Sequence, residues 1–148
     1  MANYSSTTYS FADVDITFTH PAVGVHQVNG EGLGSVTITM ATDKTTHDIA
    51  ADGSVMISKI AGENGTIALN IQQTSSFHKW LLGWYNFINL AEGASWALAS
   101  IIIRDKVNGT TITALDVSPQ KRADKGYQAQ GQQVTWNMMA GNITEVPF

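Results

Sequence analysis

Four histidines, several aspartates and a glycine run are the residues whose types could do chemistry. Gly30-Glu31-Gly32-Leu33-Gly34 has the spacing of a phosphate-binding loop. It precedes a strand pattern, however, and no lysine follows where a nucleotide loop needs one. Without a helix N-terminus to present amides to a phosphate, the run reads as a flexible turn. His20, His26, His47 and His78 are too dispersed for metal-ligand spacing, and no carboxylate pattern completes a set around them. His47-Asp48 has the composition of an acid–base pair, but neighbours on a polar stretch rarely meet as catalysis requires. Asp13 and Asp15 point the same way from one strand, as paired carboxylates do in a glycosidase, and so do the outward positions of any strand. Asn64-Gly65-Thr66, Asn108-Gly109-Thr110 and Asn142-Ile143-Thr144 fit the glycosylation pattern, yet the Asn-Gly pairs are better read as turns. Trp80, Trp84, Trp96 and Trp136 could stack on sugars, but they fall on apolar faces and read as core. The residues therefore offer no catalytic centre, no cofactor site and no metal site.

One helix stands out among the elements that would position these residues. In Ser75–Ala91, the residues Phe77, Trp80, Leu81, Trp84, Ile88 and Ala91 recur at steps of three and four, so they line one face. Phe77, Trp80, Leu81, Trp84 and Ile88 form the predicted packing face, and His78, Lys79, Asn86 and Asn89 fall on the remaining arc. Thr74, Ser75 or Ser76 supplies the N-cap, and Glu92-Gly93 marks the exit. Gly83 in mid-helix predicts close approach of a neighbouring backbone.

Everything else reads as strands and turns. Tyr9–His20 alternates Val14, Ile16 and Phe18 with polar residues, and Ser35–Met40 alternates Val36, Ile38 and Met40 with hydroxyls after a glycine-rich break. Thr42–Asp52 is polar and lacks a period, which predicts a long exposed loop. Val55–Ile60 and Thr66–Gln72, on either side of Glu63-Asn64-Gly65, predict a hairpin that leads into the helix. Trp96–Arg104 and Thr110–Val117 predict a second hairpin about Asn108-Gly109. Gln128–Met139 is the last strand, and Asn142–Phe148 a free arm. The expected fold is mainly β, an antiparallel sandwich or barrel of about seven strands with one helix packed against it.

The 148 residues suit a single domain, 1–148, with the exposed loop 42–52 and short terminal arms. Net charge is −4 and only 14% of residues are charged, which argues against gripping a nucleic-acid backbone and suits a surface covered by other copies. With no cysteine, disulfides and thiol chemistry are excluded. MANYSSTTYSF lacks a basic start and an apolar core, and the aliphatic run Ala97–Ile103 is too short to cross a bilayer, so synthesis in the cytoplasm and no membrane contact are expected.

The stretch ADGSVMISKIAGENGTIALNIQQTSSFHKWL has a DG turn, strands closing on Gln72-Gln73-Thr74-Ser75, and then the single helix. This order resembles the tail tube proteins of contractile-tailed bacteriophages and the related tube proteins of tailocins and type VI secretion systems. The likeness runs over about Phe11 to Met139 and is clearest at Asp52–Leu82. Its one departure is an aromatic run, Trp80–Phe87, heavier than the pattern. The resemblance implies a virion structural protein, not an enzyme, whose hexameric rings stack into a tube that conducts genome DNA during ejection without binding it specifically. It also implies tail sheath, baseplate and tape-measure proteins as partners, and a place in the virion tail. Thr42, Asp43, Lys44, Thr45, Thr46, His47 and Asp48 would then be the contact loop between stacked rings. The alternatives are a monomeric β-sandwich binding module of carbohydrate type, or another virion structural protein.

Overall fold

The computed structural model describes residues 5–148, so the start of the expected N-terminal arm lies outside the described residues. After a short 3-10 turn at Phe11–Asp13 come β1 (Val14–His20), β2 (Gly24–Asn29), β3 (Leu33–Met40), β4 (Thr45–Ile49), β5 (Val55–Lys59) and β6 (Gly65–Gln72). The helix α1 (Ser76–Leu90) follows, then β7 (Ala99–Asp105), β8 (Thr111–Pro119) and β9 (Gln133–Val146). Seven strands form one antiparallel sheet in the order β2-β1-β7-β8-β9-β6-β3, while β4 and β5 form a separate ribbon. The large sheet curls into a half-barrel that is open at β2 and β3.

Period-two patterning decides which face is covered. Ile16 and Phe18 of β1, Ile67, Leu69 and Ile71 of β6, Ile101 of β7 and Trp136 and Met138 of β9 are all fully buried on the inner face. The helix lies over them. Phe77, Leu81, Trp84 and Ile88 are buried, and Trp80 is half-buried. Phe18 meets the rings of Phe77, Trp80 and Trp84 edge-on, with centroids 6.4, 5.1 and 4.8 Å away. Ser75 caps the helix by accepting from the Phe77 amide at 3.1 Å, and it rests against Gly32, where a Cβ would lie 2.6 Å from its hydroxyl. That contact gives part of the glycine run a structural role, because Gly32 also holds φ at +70°.

Several expectations are corrected. Thr42–Asp52 is no loop, since Thr45–Ile49 is a strand paired with Val55–Lys59 through His47↔Ile57 and its neighbours. β5 accordingly does not pair with β6, which lies between β3 and β9. Asp52-Gly53 closes the β4–β5 ribbon, with Gly53 at φ +90°. Gly24–Asn29, read as broken chain, is the edge strand β2. The supposed free C-terminal arm belongs to β9, whose Val146 stands opposite Thr111. Asp13 lies in the 3-10 turn and not on β1, so it is not paired with Asp15 on one strand face. The main sheet has the expected seven strands, and the β4–β5 ribbon adds two more among the described residues.

Gly83 is exposed and a Cβ there would meet nothing, so no neighbouring backbone approaches it. Replacing it removes only a propensity cost. Gly83→Ala is expected to stabilise the protein by about 0.5–1 kcal/mol, read as a higher urea midpoint at unchanged slope.

Candidate assembly surfaces

The possible catalytic residues separate in space. His20 is buried, its Nδ1 accepting from the Ala22 amide at 3.1 Å and its Nε2 lying 3.1 Å from the Ser95 carbonyl. His26 stacks on Phe77 with centroids 5.2 Å apart. His47 is exposed on β4, and Asp48 points from the opposite face of the same ribbon. Asp15 is 3.7 Å from Lys106. Among the described residues, no group of His, Asp and Glu could hold a metal. Trp84 and Trp136 are core residues.

His78 is the exception that the helical period hid. The helical period puts it on the polar arc, yet it is buried, and Trp136 Nε1–H donates to its Nδ1 at 3.1 Å across the helix–sheet interface. Burial, and secondarily the charge of Lys125, lowers its pKa from the ordinary 6.5, and burial lowers that of His26. Both favour the neutral ring in the folded state. Unfolded chains take up protons as the pH falls below 6.5 while these rings resist, so stability is full above that value and declines below it. Thermal unfolding is expected at a lower midpoint at pH 5.5 than at pH 7.5, with a smaller difference in a His26→Gln, His78→Gln variant.

Three surfaces remain. The outer face of the sheet carries Thr17 and Thr19 of β1, Thr37 and Thr39 of β3, Thr66 and Asn70 of β6, Thr113 of β8, and Thr135 and Asn137 of β9. Hydrogen bonds from Asn70 to Ser35 at 2.6 Å and from Thr135 to Asn70 at 2.5 Å run across three strands of it. Ionic groups are few, and Asp15 and Arg104 stand opposite each other. Val25, Ile102, Leu115 and Met139 are the apolar interruptions.

The second surface is the pair of strand edges, β2 and β3, each with one side unpaired. Sequence reasoning missed β2 because only His26 and Val28 of its six residues turn inward.

The β4–β5 ribbon is the third. Its ten strand residues are all exposed, and the register gathers Thr45, His47, Ile49, Val55, Ile57 and Lys59 on one face, against Thr46, Asp48, Met56 and Ser58 on the other. Ile49 is 69% exposed and Ile57 66%. The ribbon grows from the end of the β3–β6 pair, where the Ala41 amide donates to the Asn64 carbonyl at 3.0 Å and Thr42 donates to Asn64 at 2.6 Å. Lys44 braces its base against Glu63 at 2.8 Å. Gly65 at this junction is dictated by sterics, since a Cβ would stand 2.5 Å from the Thr39 carbonyl. Of the predicted contact residues, Thr42 is half-buried at the base, Asp43 and Lys44 lead out of it, and Thr45, Thr46, His47 and Asp48 are on β4.

No curated protein sequence matches the chain at a significant level. Among solved structures, the fold is similar to the anti-feeding prophage cap, the tube-terminating cap (TM-score 0.61, 11% identity, 100% of this chain and 96% of that one). It is similar to the sheath/tube terminator of the extracellular contractile injection system PVC in the extended state (TM-score 0.58, 11% identity, 99% of each chain). A chain of the PVC sheath-tube complex in the extended state is also similar (TM-score 0.54, 13% identity, 90% of this chain and 88% of that one). The family model of the bacteriophage PhiTE tail tube protein matches residues 6–146. With nearly its whole length matched, this chain belongs to the phage tail tube family, whose members are structural components of the virion tail.

Proposed function

We propose that the protein is the repeating subunit of a phage tail tube, in which hexameric rings stack around a lumen that conducts DNA during ejection. The observation that carries this reading is a curled sheet open at both edges, in a chain matched to the family over 6–146. Unpaired edges are a liability in a monomer, and pairing β2 of one copy with β3 of the next satisfies both. Rings built this way make a continuous barrel. The outer sheet face then lines the lumen, where threonine and asparagine predominate and Arg104 stands opposite Asp15, so phosphates meet few fixed cations.

The β4–β5 ribbon serves as the contact between stacked rings, with Thr42, Asp43, Lys44, Thr45, Thr46, His47 and Asp48 along one half of it. Two short strands alone are marginal in water, and Ile49, Val55 and Ile57 form an apolar stripe that a neighbouring copy covers. Sheath, baseplate and tape-measure proteins are the further partners. Two of the similar folds come from a sheath-tube complex and a baseplate, which suits a contractile tail.

Because the chain has no cysteine, edge pairing can be tested by introduced ones. One cysteine on β2, at Gln27, and one on β3, at Thr37 or Thr39, should give on oxidation a ladder of covalent species that ends at the hexamer on denaturing gels. Monomer alone from both placements would contradict edge pairing.

A further inference from the structure

The helix α1 and the segment 121–125 line an open cleft of about 820 Å³. Its walls are Leu82, Tyr85, Asn86 and Asn89 of the helix and Lys121, Arg122 and Lys125 opposite, and His78 contributes to its lining. Three of the protein's eight cationic side chains are therefore gathered in five residues of a chain whose net charge is −4. The acid among them, Asp124, is occupied by Lys121 at 3.5 Å. Arg122 makes no ion pair among the described residues, and Lys125 lies over the Tyr127 ring, 5.4 Å from its centroid.

His78 adds a second observation that points to a ligand. Its Nδ1 accepts the Trp136 proton, so the neutral ring carries its own proton on Nε2. That nitrogen is buried and has no hydrogen-bond partner among the described residues. A buried donor left unpaired is costly; Trp84 Nε1 is also unpaired among the described residues but lies in the closed core, whereas His78 belongs to the lining of an open cleft. The cleft that His78 lines also carries the Asn86 and Asn89 amides further along the helix and a cationic rim, which together match a run of carboxylates.

We propose that this cleft docks an acidic segment of another protein, one of whose carboxylates accepts from His78 Nε2–H while Arg122 and Lys125 hold neighbouring carboxylates. The occupant is a peptide rather than a nucleic acid. Three cations around one concave cleft make no backbone-tracking stripe, and the negative charge of the whole chain opposes a polyanion of DNA length. It is also a different chain rather than a second copy, because no residue of β2, β3 or the β4–β5 ribbon lines the cleft. The choice of a different chain rests on the assembly reading above, and the acidic-segment chemistry of the cleft does not.

The test uses the full-length protein with a fluorescein-labelled hexaglutamate peptide followed by fluorescence polarisation, and hexaglutamine as the uncharged control. Arg122 and Lys125 are exposed, so an Arg122→Gln, Lys125→Gln variant should fold normally. Hexaglutamate should bind the wild type and bind this variant about tenfold more weakly. On saturation of the wild type, the His78 ring nitrogen resonances should shift. Equal binding by both proteins, equal binding of hexaglutamine, or unmoved His78 resonances would overturn the proposal. The same His78 shift with inorganic phosphate at equal concentration would also overturn it, by showing a simple anion site. Loss of self-assembly in the variant would overturn the assignment to a different chain.

Discussion

Replacing the β4–β5 ribbon with a tight turn is expected to leave a folded protein that no longer polymerises. The chain invites this surgery. Ala41 and Asn64 already form a hydrogen-bonded pair at the end of β3 and β6, so an Asn-Gly turn in place of residues 42–63 joins them with the twist a two-residue hairpin prefers. None of the residues from β4 or β5 enters the core, and all ten are exposed, so the removal costs one subunit little beyond the hydrogen bonds from the Ile143 amide to the Glu63 carbonyl and from Thr42 to Asn64. The variant should match the parent in thermal midpoint within a few degrees while its mass by light scattering stays below that of any stacked assembly. Normal tubes from the shortened protein would remove the ribbon from the contact between rings. A milder version, Ile49→Ser with Ile57→Ser, strips the apolar stripe without touching the pairing and should weaken polymerisation in the same direction.

Trp84→Asp is expected to prevent folding. Trp84 is fully buried between the helix and Phe18, and an aspartate there loses the aromatic packing and places a carboxylate where no cation waits among the described residues. Losing a buried tryptophan costs about 3–5 kcal/mol and a buried unpaired polar group adds more, against a total stability of about 5–15 kcal/mol for a domain. No cooperative unfolding transition should be visible by circular dichroism. Phe87→Asp is the matched control, since Phe87 is on the same helix but exposed, and it should fold. A Trp84→Asp protein with the parent's urea midpoint would show that the helix packs by a different face.

The contrast between these two substitutions shows what the sequence could reveal. The burying face of α1 was legible because a helix repeats its inward positions every three or four residues, and Phe77, Leu81, Trp84 and Ile88 keep that rhythm between a serine cap and a glycine exit. β1 and β7–β8 were legible for the analogous reason at period two. His78 was not, because its burial depends on a proton from Trp136, 58 positions away, and no local pattern encodes that partner.

The ribbon was misread for a related reason. Thr45–Ile49 is exposed on both faces within one subunit, so it carries little of the inward-facing signal by which strands are recognised, and the Asp52-Gly53 turn pairs it with β5 rather than starting a new element. The sequence reading of β9 stops short of Gly141, which stands against Asp116, a residue at φ +55° where the inward alternation slips in both strands although their register runs on unbroken. The polar outer face of the sheet was visible as alternation, but which chain edge it leads to depends on the strand order, and that order joins β1 to β7 and β6 to β9 across long intervals.

The most direct test of the central claim is cryo-electron microscopy of the purified, polymerised protein at a resolution that distinguishes sheet from helix. Stacked six-membered rings are expected, with the seven-stranded sheets joined edge to edge, the threonine- and asparagine-rich face toward a central channel and α1 on the outside. Assemblies with α1 lining the channel, or with β2 and β3 unpaired between neighbours, would contradict the account.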